Sequence, residues 1–246
     1  MSPPRSLARD FAAAGLDWIV PEWDAPPNVH AFTTTRNLGT MRGEAAEEAL
    51  SSALARWLPS PPRWLRQVHG AAVHDADADP AVASPPRADA IVARAPRVVC
   101  AIQTADCLPI LFTDGTGSAV GAAHAGWRGL AAGVIEAALA SLRVPAQEVR
   151  AWIGPGIGPR AYEVGSDVLE AHCAADRGAA ACFVPAAPRK WLADLPALAR
   201  RRLERAGVGS IAASERCTFS EGAVFHSYRR DGARAGRMAT LIWRTA

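Results

Sequence analysis

The stretch RVVCAIQTADCLPILFTDGTGSAVGAAHAGWRGLAAGVIEAALASL, residues 97–142, decides the fold. Arg97–Gln103, Leu108–Thr113 and Ser118–His124 are each rich in strand-forming residues, and Asp114-Gly115 between the last two is a hairpin turn. Gly129–Leu142 then reads as a helix. A hairpin running into a helix argues for a mixed α/β protein rather than an all-parallel wound sheet.

Upstream, Val29–Thr35 forms a plausible strand. From Glu44 to Leu58 the apolar positions Ala46, Leu50, Ala53, Leu54 and Leu58 recur at helical spacing until Pro59, Pro61 and Pro62 stop them. Short strands are expected at Trp64–Val68 and Ala72–His74, and an exposed loop from Asp75 to Arg87. Downstream, a buried strand at Val149–Ile153 enters the glycine-rich IGPGIGP, which reads as tight turns because it holds neither G-x-G-x-x-G nor a Walker lysine. Helices follow at Ser166–Ala174 and Leu192–Ala206, then a polar loop at Arg229–Gly236 and a strand at Met238–Trp243. No repeat and no long linker divides the chain, so one domain over residues 1–246 is expected.

Half of the 246 residues are hydrophobic and 21% are charged, the composition of a globular protein. The net charge of +3 is spread among interspersed acids and bases, with no basic stripe to track nucleic acid. Phe11–Leu16 is too brief for a secretory core, and no apolar run reaches the length of a membrane span. The five cysteines are odd in number and form no C-x-x-C pair, which argues against a disulfide framework. The expectation is a cytoplasmic protein that acts on a small molecule, with no nucleic-acid or membrane partner.

Metal-capable side chains stand at element ends in three segments: Gln67-Val68-His69-Gly70, Thr104-Ala105-Asp106-Cys107 and Ala123-His124-Ala125-Gly126-Trp127-Arg128. Two imidazoles and a thiolate suit zinc, and three protein ligands leave a fourth position open, as in catalytic sites. Such a metal lowers the pKa of bound water toward neutrality. Spacing alone does not establish the site, because 38 residues separate His69 from Cys107 and 17 separate Cys107 from His124. The plain alternative is a Cys107 that is a small buried hydrophobe, with His69 and His124 completing a strand end and a turn. Asp106 is open to a proton-transfer role or a turn role. Arg128 and Arg36 suit anion binding by bidentate hydrogen bonds or simple pairing with an acid.

The strings QVHG at 67–70, TADCLPI at 104–110, AAHAGWRGL at 122–130, IGPGIGPRAYEVG at 153–165 and FHSYRRDGARAGRMATLIW at 225–243 resemble the signature of the polyphenol oxidase or laccase-domain family, also called the peptidoglycan editing factor family. The resemblance runs from about Thr33 to the end. It implies two packed mixed sheets flanked by helices, and a catalytic zinc held by His69, Cys107 and His124. His226, inside the last string, becomes a candidate to line the pocket beside Arg36 and Arg128. Two departures stand out: TTTR at 33–36 abuts NLG at 37–39 where the family carries an intervening G-G-x-S loop, and Arg160-Ala161 stands where the family has a cysteine.

The activity implied is phosphorolysis of purine nucleosides, with adenosine deamination beside it. A zinc amidase that removes a misincorporated amino acid from a UDP-muramoyl precursor is a second reading, and a metal-free Cys-His hydrolase using Cys107 is a third. A zinc protein without turnover is the non-enzymatic alternative. Multicopper laccase chemistry is disfavoured, because it needs several H-x-H pairs and the six histidines form none. A cytidine-type deaminase is disfavoured too, since H-x-E and P-C-x-x-C are absent.

Overall fold

Period-two alternation sorts the side chains of the central strands onto two faces, and the fold follows from what covers each face. The computed structural model describes residues 7–39, 44–78 and 84–246. The expected loop from Asp75 to Arg87 thus lies partly outside the described residues.

A four-stranded sheet has the order β1 (Val29–Thr33), β13 (Met238–Arg244), β5 (Val99–Thr104) and β2 (Pro62–Arg63), antiparallel except for the β2–β5 pair. A six-stranded sheet has the order β12 (Ser210–Ala213), β8 (Val149–Ile153), β6 (Leu108–Asp114), β7 (Val120–Ala125), β4 (Ala90–Ala93) and β3 (Val73–Asp75). Its two outer pairs are parallel and the inner ones antiparallel. The sheets pack face to face: Cys100 and Ile102 of β5 and Ile242 of β13 join Ile91, Leu111, Val120 and Trp152 in one buried cluster.

The alternate residues point away from this layer. Val99, Ala101, Leu241 and Trp243 pack with Phe11 of α1 (Leu7–Ala13) and with Leu50 and Leu54 of α2 (Glu44–Leu54). Leu108, Ile110 and Phe112 of β6 pack beneath α3 (Trp127–Ala132), α4 (Val134–Leu142), α5 (Ser166–Ala175) and α6 (Leu195–Arg205), which contribute Leu130, Ile135, Val168 and Leu198. With both faces covered, β6 and β7 are buried throughout, which is why they read as nearly continuous apolar runs. The mixed α/β architecture of two packed sheets flanked by helices is the expected one.

Local differences have identifiable causes. A third sheet of β10 (Phe183–Ala187), β11 (Lys190–Ala193) and β9 (Glu163–Gly165) was not expected, since its strands are three to five residues long and β10 is mostly exposed. The helix expected from Leu192 starts at Leu195, where the Asp194 carboxylate accepts the Ala197 N–H at 2.8 Å. The helix expected over Gly129–Leu142 is divided between α3 and α4 by Gly133, whose φ of 91° only glycine adopts freely. The polar loop from Arg229 holds part of a single turn, α7 (Tyr228–Asp231), capped by Ser227. β4, at Ala90–Ala93, escaped notice because four residues give too short a pattern to score.

The contact between the sheets should carry a large share of stability. Leu111→Ala is expected to cost about 2–5 kcal/mol, as for other buried leucines. Urea denaturation measures it, and a cost below about 1 kcal/mol would contradict the packing described.

Candidate metal site and active cleft

Loops at neighbouring strand ends bring the three metal-capable residues together. Cys107 sits in the tight connection from β5 to β6, His124 near the end of β7, and His69 in the loop before β3. Their ligand atoms all lie within 4.8 Å of one another, and the two imidazole rings stand nearly perpendicular with centroids 4.7 Å apart. Gly126 makes room for this: a Cβ there would fall 2.7 Å from Cys107 Sγ.

Asp89, at the start of the β4 segment, holds the arrangement from behind. It is fully buried, and its carboxylate accepts the backbone N–H of Val68 at 3.2 Å, of His69 at 2.8 Å and of Gly70 at 2.7 Å. It also lies 2.9 Å from His124 Nδ1. Burial disfavours its charge, but the bonds from the His124 ring and from the backbone N–H groups of Gly70 and His69 outweigh this and keep its carboxyl below the usual carboxylate range. The same bonds stabilise His69 at φ 61°, a left-handed conformation uncommon outside glycine.

The donor set fits a metal ion. With Nδ1 of His124 engaged by Asp89, Nε2 is the nitrogen left for a ligand role, the carboxylate–histidine arrangement typical of metal centres. Burial raises the Cys107 thiol, but the adjoining His124 and His69 rings more than reverse that and bring it down to about 6. Burial lowers His124, whereas the Cys107 thiolate and Asp89 raise it, to about 9. A thiolate is therefore the ready form of Cys107. A span of 4.8 Å is one that an ion with bonds of about 2.0–2.3 Å can draw together.

The triad forms part of the floor of a cleft of about 640 Å³. Asp106 and Arg128, both singled out in the sequence, line it as well. Asp106 has φ 89°, and each of its carboxylate oxygens is engaged at 2.6 Å, one by the Thr218 hydroxyl and one by the Arg229 N–H. The geometry makes it a tie between the Cys107 loop and the C-terminal segment. Arg128 stacks its guanidinium 4.4 Å from the Trp127 ring centroid.

Arg36 and His226 are not among the residues lining this cleft. The Arg36 guanidinium donates to the Gly222 carbonyl, and the buried His226 ring lies 3.2 Å from the Gly39 carbonyl. Burial, with Arg36 adding to it, lowers the His226 pKa.

Sequence reading passed over Asp89, Arg66, Tyr162, Arg229 and Arg237. The last four line the cleft, and Arg229 stands 5.2 Å from the Tyr162 ring centroid. Burial pushes the Tyr162 phenol up, and the neighbouring Cys107 adds to this, so the hydroxyl stays protonated. Asp89 did leave a signal, as the one carboxylate in the apolar run ADAIVA at 88–93.

Asp89→Asn is expected to weaken zinc binding about 10- to 100-fold, as loss of a carboxylate partner to a metal-ligating histidine does elsewhere. Competition with a chromophoric chelator measures it, with circular dichroism checking the fold. Unchanged affinity would separate Asp89 from the metal site.

Comparison with known proteins matches the chain over most of its length. The family model described as multi-copper polyphenol oxidoreductase laccase matches residues 30–245. A protein of Pseudomonas aeruginosa named purine nucleoside phosphorylase is 46% identical over 241 residues, covering 92% of this chain and 98% of the relative. One of Escherichia coli with the same name is 44% identical over the same shares. A solved structure from Neisseria meningitidis superposes with a TM-score of 0.86 at 42% identity, covering 94% of this chain and all of the other. With a family model matching most of its length and relatives above 40% identity over 92% of it, the chain belongs to the multi-copper polyphenol oxidoreductase laccase family.

Proposed function

We propose that this chain is a zinc-dependent purine nucleoside phosphorylase of the cytoplasm. The observation that carries the reading is the meeting, in one cleft, of the His69–Cys107–His124 group with the guanidinium groups of Arg66, Arg128, Arg229 and Arg237. Among the described residues none of these four arginines forms a salt bridge, and Asp106, the one acid lining the cleft, has both oxygens engaged. A cleft with uncompensated positive charge attracts an anion. Relatives named purine nucleoside phosphorylase at 44–46% identity over 92% of the chain support phosphate as that anion.

The family's descriptive name speaks of several coppers, but the donors favour one zinc. Among the described residues, this is the one group of three or more candidate ligands found, and its two imidazoles and thiolate suit zinc. For the compartment, the support is five unpaired cysteines and, among the described residues, no helix long and apolar enough to cross a membrane.

Phosphorolysis forms a bond from a phosphate oxygen to the ribose C1′ and breaks the bond from C1′ to the purine nitrogen. The bonding pair leaves with the purine, which takes up a proton, and ribose 1-phosphate is the second product. The arginines neutralise the attacking anion and hold it in place. Trp127 and Tyr162, each backed by a guanidinium, offer flat faces for the base. The Tyr162 hydroxyl remains protonated and available as a donor. Asp89 fixes the orientation of His124, and Asp106 fixes the wall of the cleft. Zinc, when bound, supplies a Lewis-acid centre beside the reacting groups. Adenosine deamination at the same centre, with water as nucleophile, belongs to the same proposal.

Adenosine, inosine and guanosine incubated with and without phosphate and resolved by chromatography test the reading. Free base and ribose 1-phosphate should appear only with phosphate, vanish on chelation and return with zinc. No free base from any nucleoside, alongside amino-acid release from a muramoyl precursor, would establish the amidase instead. Inosine and ammonia formed from adenosine without phosphate, with no free base from any nucleoside, would leave only the hydrolytic activity.

A further inference from the structure

One buried polar group beside the cleft has no partner among the described residues. Thr104 ends β5 and is only 2% exposed, yet its hydroxyl makes no hydrogen bond while the residue lines the cleft. Buried hydroxyls without a partner are uncommon and call for an explanation. The backbone before it is rigid: the Gln67 side chain donates to the Gln103 carbonyl at 2.8 Å and accepts the Gln103 N–H at 2.7 Å. Across the sheet, Thr104 is in register with Met238 of β13. The residue before Met238 is Arg237, which also lines the cleft.

Arg237 is itself held in place. One of its terminal nitrogens donates to the carbonyls of Ala235 and Gly236, at 3.0 and 2.9 Å. That fixes the guanidinium while leaving its other N–H groups uncommitted, and none of them meets a carboxylate among the described residues. An unpartnered hydroxyl and an anchored guanidinium on residues that border the same cleft are groups suited to a tetrahedral oxyanion, the one by a single hydrogen bond and the other by charge-assisted ones. Thr104 and Arg237 both belong to the four-stranded-sheet side of the cleft. Trp127 and Arg128 open α3 after β7, and Tyr162 follows β8, both strands of the six-stranded sheet, while Arg229, over the Tyr162 ring, lies in the same β12–β13 connection as Arg237.

We propose that Thr104 and Arg237 form the seat of the phosphate co-substrate, and that the nucleoside lies across the cleft against Trp127 and Tyr162. The assignment rests on the phosphorylase reading for the identity of the reaction, but the anion seat is testable without turnover. Thr104 makes its bond through rotation about Cα–Cβ between staggered positions, which turns the shielded hydroxyl toward the bound anion.

The test uses the zinc-loaded protein, with inorganic phosphate titrated by calorimetry and, separately, varied in steady-state assays at saturating adenosine. Thr104→Val keeps the shape and removes the hydroxyl. It should weaken phosphate binding about tenfold or more and raise the phosphate KM in parallel, with the adenosine KM changed less than twofold. Thr104→Ser should recover most of the lost affinity, and Arg237→Gln should weaken phosphate binding at least as much as Thr104→Val. Phosphate affinity unchanged in both Thr104→Val and Arg237→Gln would overturn the seat, as would a rise in adenosine KM without one for phosphate. Phosphate binding that depends on both residues, in a protein that releases no purine base, would uphold the seat and remove the phosphorylase reading.

Discussion

A single buried carboxylate organises the chemistry of this protein. Asp89 takes hydrogen bonds from three consecutive backbone N–H groups and faces the ring of His124, so one charge secures segments 20 and 35 residues away along the chain. Its two oxygens are fully used. Without them, three backbone donors and a buried imidazole nitrogen would lose their partner together, a cost larger than that of one surface bond. The strained backbone of His69 persists because this set of bonds over-determines it. Cys107 needs no such tie, since the short β5–β6 connection already delivers its sulfur to the two rings.

The layers divide the remaining tasks. Stability resides in apolar clusters between the sheets and under the helices, and these clusters contain few polar groups. The candidate site lies at the strand ends, where the backbone leaves the sheet and side chains turn into the cleft. Asp106 links the two halves by joining the loop of Cys107 to Thr218 and Arg229, more than a hundred residues later. Because that acid is saturated, the four arginines lining the cleft form no salt bridge among the described residues, which is the ground for reading the cleft as an anion site.

What the sequence disclosed depended on how local the signal was. Strands β5, β6 and β7 were legible because their buried, strand-forming runs surround an Asp-Gly turn. The triad residues were legible only by resemblance, since their spacing of 38 and 17 residues reflects loop lengths and not ligand geometry. Asp89 was missed because its role is to accept bonds from backbone, and backbone donors carry no sequence mark. Arg229 sits in a segment that looked like a polar loop and Arg237 directly after it, and their shared cleft with Arg66 and Arg128 exists only once the chain is folded. Arg36 and His226 illustrate the converse: residues inside or beside family-like strings can serve the packing of the C-terminal segment, as the bonds to Gly222 and Gly39 show.

The central claim is that His69, Cys107 and His124 bind one zinc ion in a site that Asp89 orients and that keeps room for a further ligand. X-ray absorption at the zinc edge of the metal-loaded protein tests it most directly. The account requires one sulfur at about 2.3 Å and a shell of about three nitrogen or oxygen neighbours near 2.0–2.1 Å, two of them imidazole. A shell with no sulfur, with two or more sulfurs, or a site that retains copper in preference to zinc would contradict it.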